Sequence, residues 1–192
     1  MNVPNILTML RMILIIPFVI LMQSDDPSHL LWALIIFVAA SLTDLLDGKI
    51  ARKYNLVTNF GKLMDPLADK LLVMSGMLMF IEREWAPAYV VIIILAREFL
   101  VTSVRLLAAK EGVVIAADIW GKLKTVFQMT WVIWTMAWFY IESSHILDGT
   151  LGMASSAVGY GLCIILMYVS VALTLISGAN YVIKAKEFIF KP

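Results

Sequence analysis

The sequence predicts an all-α, polytopic membrane protein with six transmembrane helices and both termini in the cytosol. Three observations predict it. Of 192 residues, 61% are hydrophobic and only 15% charged, whereas a soluble domain has an apolar share near half. The apolar residues come in runs of about the 20 residues that a spanning helix needs. The basic residues gather on alternate connections. The length suits a single membrane-embedded domain over residues 1–192.

The first span, 6–22, is apolar apart from Arg11 and stops before Asp25, Asp26 and Pro27. It does not read as a signal peptide, because no small-residue cleavage site follows and five further spans do. The second covers 30–46. The third, 67–81, is short unless its helix begins earlier, near Gly61, and it stops at Glu82, Arg83 and Glu84. The fourth and fifth cover 87–106 and 120–141. Along the fifth, Trp131, Trp134 and Trp138 recur at helical spacing and predict a lipid-facing, interfacial or oligomer-packing stripe. The sixth covers 157–177.

A cytosolic amino terminus leaves Asp25, Asp26, Glu82, Glu84, Glu142 and Asp148 outside, against Arg83 alone. The other side receives Lys49, Arg52, Lys53, Lys62, Lys110, Lys122, Lys184, Lys186 and Lys191. That asymmetry sets the orientation. A net charge of +1 offers no basic face for nucleic acid. His29 and His145 fall in polar connections, and lone Cys163 permits no intrachain disulfide.

Chemistry gathers where the second and third spans meet the cytosol. Asp44 and Asp47 end one, and Asp65 and Asp69 open the other. Spacings of three and four put each pair on one helix face. Asp44, Asp47, Gly48, Ala51 and Arg52 fit within an arc of about 140° at 100° per residue. The short connection predicts antiparallel neighbours that turn their carboxylates toward each other. Four such groups repel unless a cation neutralises them. An all-oxygen set suits Mg²⁺ or Mn²⁺, and two ions fit between two pairs. Gly48, Ala51 and Gly61 remove bulk beside the acids, and Arg52 adds a cation suited to phosphate. Capping of helix ends accounts for one or two acids, not four.

Read together, Asp44-x-x-Asp47-Gly48-x-x-Ala51-Arg52, eight residues, then Gly61-x-x-x-Asp65-x-x-x-Asp69 resembles the signature of the CDP-alcohol phosphotransferases. All eight signature positions are filled. Further segments resemble one bacterial branch, whose members pass a phosphatidyl group from CDP-diacylglycerol to glycerol 3-phosphate. They are Asn2 to Arg11 with Asn5 and Thr8, Asn55 to Thr58, Arg97 and Glu98 through Arg105, and Gly121 to Thr125.

The resemblance implies a six-helix membrane enzyme in a bacterial cytoplasmic membrane, working as a homodimer with its site facing the cytosol. It implies that Asp44, Asp47, Asp65 and Asp69 hold metal, and that Asp69 is also the general base. It implies that Thr8, Asp44, Gly48, Ala51, Arg52 and Gly61 bind CDP-diacylglycerol. Arg97, Arg105, Lys122 and Lys124 are the candidates for the glycerol 3-phosphate site. Arg97 and Arg105 lie about 80° apart around one helix. Lys122 and Lys124, two apart, point away from each other, so one of them touches substrate. Arg97 lies deep enough to demand a partner, a substrate phosphate or an acid such as Glu98. Two rivals stay open: a family member using inositol phosphate, serine or phosphatidylglycerol as acceptor, and a cation-coupled transporter. Against the transporter, the acids lie at one mouth and not at the midplane.

Overall fold

A chain this apolar has few ways to satisfy its backbone in lipid, and helices are one of them. The computed structural model describes residues 3–53, 58–110, 119–146 and 150–189, with side chains for 5–44, 58, 60–61, 64–109, 119–146 and 156–186. All the regular structure among the described residues is helical: α1 (Val3–Met22), α2 (Pro27–Lys53), α3 (Asn59–Glu82), α4 (Ala88–Lys110), α5 (Ile119–Ser143) and α6 (Thr150–Ile189). Each predicted span lies within one helix, except that Pro87 of the fourth precedes α4. The third begins at Asn59, well before its apolar run, because Thr58 caps it by accepting the Gly61 N–H at 3.0 Å. Asp26 starts α2 by accepting the Ser28 N–H at 2.8 Å, and that bond holds its carboxyl below the usual carboxylate range.

The chain forms two compact units. The first comprises Met1–Trp85 and Val132–Ala157. Within it α1 packs along both α2 and α3, more extensively than those two pack on each other. Buried Ala33 and Ala40 keep the α2 surface shallow, as close helix packing in lipid requires. Phe18 of α1 meets Phe37 of α2 with ring centroids 5.7 Å apart. Trp85 stacks on Phe139 at 4.0 Å. Arg83, just past α3, donates to the Met22 carbonyl at 2.7 Å and to the Ser24 carbonyl, tying the ends of α1 and α3 together. These two helices therefore run in one direction and α2 runs back between their ends. Their opposite ends carry the acidic motif.

The second unit comprises Ala86–Trp131 and Val158–Pro192. Tyr89 of α4 and Tyr168 of α6 share a hydroxyl hydrogen bond of 2.7 Å. Val90, Ile94, Val101, Cys163 and Met167 are buried.

By length and apolarity, three helices qualify as membrane spans among the described residues: Asn5–Met22, Pro27–Asp44 and Ser156–Lys186. α3 and α4 carry their charges inside the helix, including Asp65, Asp69 and Lys70 in one and Arg97, Glu98 and Arg105 in the other. α6 has 40 residues, about 60 Å at 1.5 Å per residue, so it outruns a hydrocarbon core of about 30 Å. Ile6, Leu10, Ile13 and Ile20 form an exposed apolar stripe on α1, as a lipid-facing helix requires. The tryptophan stripe is a correction. Trp131 and Trp138 are buried, so they pack inside the protein and do not face lipid or a second copy.

Candidate active site

The site in the first unit is built from α1. Asn5, Thr8 and Arg11 recur every three residues, share one face, and are all buried. Each reaches a different part of the acidic motif. Arg11, its side chain fully buried, donates through Nη1 to Asp44 Oδ1 at 2.6 Å and through Nε to the Ala40 carbonyl at 3.3 Å. Thr8 donates its hydroxyl to Asp65 Oδ1 at 2.5 Å. Asn5 Oδ1 accepts the hydroxyl of Thr58, the residue that caps α3, at 3.0 Å. A guanidinium at this depth requires a partner, and Asp44 supplies it.

Thr8 and Arg11, one turn apart on α1, thereby hold Asp65 of α3 and Asp44 of α2 against one face of α1. Asp69 follows one turn later on α3, half-buried. For Asp47, Gly48, Ala51 and Arg52 the helical backbone of α2 is described, and their side chains lie outside the described residues. Among the described residues no three acidic, histidine or cysteine groups converge as a metal site. The donor chemistry nevertheless suits a hard cation. Two oxygen donors from different helices repel, and a carboxylate accepts about four bonds, so Thr8 and Arg11 orient these two without exhausting them.

Gly61 has a packing role besides the one expected of it next to the acids. A Cβ there would stand 3.1 Å from Asn5 Oδ1, 3.3 Å from Thr58 Oγ1 and 3.5 Å from Asp65 Oδ2. The missing side chain lets α1 approach the start of α3. Thr8 likewise contacts a carboxylate of the motif.

The second unit gathers the basic residues. Glu98 Oε1 accepts from Arg97 Nη1 at 2.8 Å and from Lys124 Nζ at 2.7 Å. The partner demanded by Arg97 is thus the next residue of its own helix. Arg97 also reaches the Ser177 hydroxyl, while its buried Nε has no hydrogen-bond partner among the described residues. Arg105 donates to the Tyr181 hydroxyl, through Nε at 3.2 Å and through Nη2. Lys124 is buried and Lys122 is exposed, as their spacing requires.

The sequence marks Arg11 as a charge in an apolar span and places it with Asn5 in a resembling segment without a role for either, while Ser177 and Tyr181 go unmarked. The available signal was polar residues at helical spacing in otherwise apolar helices.

Comparison with known proteins agrees with this chemistry. The family model described as CDP-alcohol phosphatidyltransferase matches residues 1–176, a stretch that runs through both units. A Bacillus subtilis protein named CDP-diacylglycerol–glycerol-3-phosphate 3-phosphatidyltransferase is 39% identical over 97% of this chain and 96% of its own. A Rickettsia typhi protein of the same name is 46% identical over 67% of this chain and 72% of its own. A Mycobacterium tuberculosis protein named probable phosphatidylglycerophosphate synthase is 34% identical over 96% and 81%.

Proposed function

The chain belongs to the CDP-alcohol phosphatidyltransferase family, and from that premise we propose that it transfers the phosphatidyl group of CDP-diacylglycerol to glycerol 3-phosphate. The products are phosphatidylglycerol phosphate and CMP. The observation that supports this reading is that Arg11 and Thr8, one turn apart on α1, each bond an acid of the family signature, Asp44 on α2 and Asp65 on α3. Relatives matched along nearly the whole chain bear the name of this reaction.

In this reading the donor's acyl chains stay in lipid while its diphosphate meets the acidic motif. Gly48, Ala51, Arg52 and Gly61 line the nucleotide, and Arg52 pairs with phosphate. Asp44, Asp47, Asp65 and Asp69 are the residues that would hold Mg²⁺ or Mn²⁺, two ions in this reading. When bound, such ions offset the charge of the diphosphate and of the departing CMP. Asp69 accepts the proton of the glycerol 3-phosphate 1-hydroxyl as its oxygen forms a bond to the phosphatidyl phosphorus and the bond to CMP breaks. A carboxylate is a weak base for a hydroxyl, so orientation of the acceptor carries much of the rate.

Arg97, Arg105 and Lys124 hold the acceptor's phosphate, with Lys122 at the margin because it is exposed. A cradle of cations favours a phosphorylated acceptor over serine. The six helices cross a bacterial cytoplasmic membrane with both termini and the site on the cytosolic side, and the enzyme works as a homodimer.

The test is CMP release by purified protein from labelled CDP-diacylglycerol against a panel of alcohols. Release with glycerol 3-phosphate, absent with serine, inositol phosphate and phosphatidylglycerol, is expected. It should stop with EDTA and return with excess Mg²⁺ or Mn²⁺. Undiminished release under the chelator, or a different acceptor preference, would overturn the assignment.

A further inference from the structure

The sixth helix carries no residue of the family signature, yet it holds both arginines of the basic cluster. We infer that Ser177 and Tyr181 of α6 are positioning residues for the acceptor's phosphate, fixing Arg97 and Arg105 as a cradle whose charge Glu98 trims to suit a dianion. This inference rests on the acceptor reading above and deepens it.

Ser177 and Tyr181 are four residues apart and share one face of α6. Both are buried, Ser177 completely. Arg97 reaches the Ser177 hydroxyl, and its guanidinium lies 5.8 Å from the centre of the Tyr181 ring. The Arg105 guanidinium lies 5.0 Å from the same ring and donates to its hydroxyl. One aromatic side chain thus sets the position of two cations that would otherwise repel, using its electron-rich face and its oxygen.

Gly178 makes the approach feasible, and Gly121 lies in ordinary contact beside it. A Cβ on Gly178 would stand 3.1 Å from Arg97 Cγ, and one on Gly121 would stand 3.4 Å from Ser177 Oγ and 3.7 Å from Arg97 Nη2. The arginine stem therefore runs against bare backbone of α6, where a larger residue would push it away.

The charge balance names the ligand class. Arg97 and Lys124 with Glu98 leave one positive charge in a largely buried setting, and exposed Arg105 adds a second at its edge. A phosphate monoester near neutral pH carries about 1.5 to 2 negative charges. A neutral hydroxyl compound or a zwitterion brings no net negative charge to meet these cations. The buried Nε of Arg97 has no hydrogen-bond partner among the described residues.

Initial rates for Tyr181→Phe and Ser177→Ala, with each substrate varied in turn, test the inference. Both substitutions remove only a hydroxyl, and Ser177→Thr restores one. The KM for glycerol 3-phosphate should rise about tenfold in Tyr181→Phe, as befits a lost bond to a charged group. The Ki of inorganic phosphate, competing with glycerol 3-phosphate, should rise in parallel, and the KM for CDP-diacylglycerol should hold. A purely structural role would lower the unfolding midpoint and leave both phosphate constants in place, which would overturn the inference. Arg105→Ala separates the two levels. If it raises the KM for glycerol 3-phosphate while Tyr181→Phe and Ser177→Ala do not, the role of α6 is refuted and the acceptor reading stands. If Arg105→Ala itself leaves that KM unchanged, the acceptor reading falls, and the role of α6 falls with it.

Discussion

Arg11 and Asp44 form an unequal pair, and the inequality has a measurable consequence. The arginine side chain is fully buried, whereas the carboxylate keeps 31% of its surface exposed. Removing the acid takes from a fully buried cation the carboxylate that holds it at 2.6 Å. Removing the cation leaves an acid that water still solvates. Asp44→Ala should therefore cost about 3–5 kcal/mol, the range for breaking a buried pair. Arg11→Met should cost less, about 1–2 kcal/mol, because it also supplies apolar volume. Denaturation midpoints in one detergent, with chelator present to remove any metal contribution, decide the order; the reverse order would count against this picture. The sequence displays Arg11 as a charge interrupting a span, and the rule that such charges need partners was available. Its partner lies 33 residues away on another helix, however. Spacing along one helix cannot report a contact between two. Asp44 and Asp65 were legible because each had a second acid one turn away, so the cluster announced itself before any fold was known. Ser177 and Tyr181 had no such company.

At the scale of helices, apolar runs located every element but not its ends. Hydropathy marks what lipid must cover, while a helix ends where its backbone hydrogen bonds do. α3 accordingly starts at the Thr58 cap, and α6 continues through Lys184 and Lys186. The tryptophan stripe failed for a related reason: periodicity says which residues share a face, and nothing about what covers it. Glycines show the same dependence on surroundings. Around Gly161 of α6 nothing lies within 4 Å of a would-be Cβ, whereas at Gly76 of α3 it would meet Val132 Cγ1 at 3.2 Å and Phe37 Cε2 at 3.5 Å. Alanine in a helix interior gains about 0.5–1 kcal/mol over glycine. Gly161→Ala should keep that gain and raise the thermal midpoint. Gly76→Ala should lose it to overpacking, which costs about 1–3 kcal/mol, and lower the midpoint. Equal shifts in the two variants would contradict the packing.

At the scale of the whole molecule, the proposed topology rests on charge. Arg83, the lone basic residue assigned to the outer connections, is occupied by the Met22 and Ser24 carbonyls and by Asp25 at 3.4 Å. It is therefore a fastener for the ends of α1 and α3, and its presence outside does not weaken a rule that depends on lysines and arginines left to face the cytosol. The acidic motif lies at the other end of those helices, where α2 ends with Lys49, Arg52 and Lys53 in sequence. Cysteine accessibility checks the arrangement. Cys163 is the sole native cysteine and is buried, so Cys163→Ala provides a background without thiols. Asp25 and Lys186 are exposed. In intact cells a membrane-impermeant maleimide should label Asp25→Cys and spare Lys186→Cys, and opening the membrane should expose both. Reversed labelling would put the acidic motif on the outer face, away from cytosolic glycerol 3-phosphate, and the proposed reaction would lose its acceptor. Labelling of both positions in intact cells would instead break the six-span count, since an even number of crossings keeps the carboxyl terminus on the side of the amino terminus.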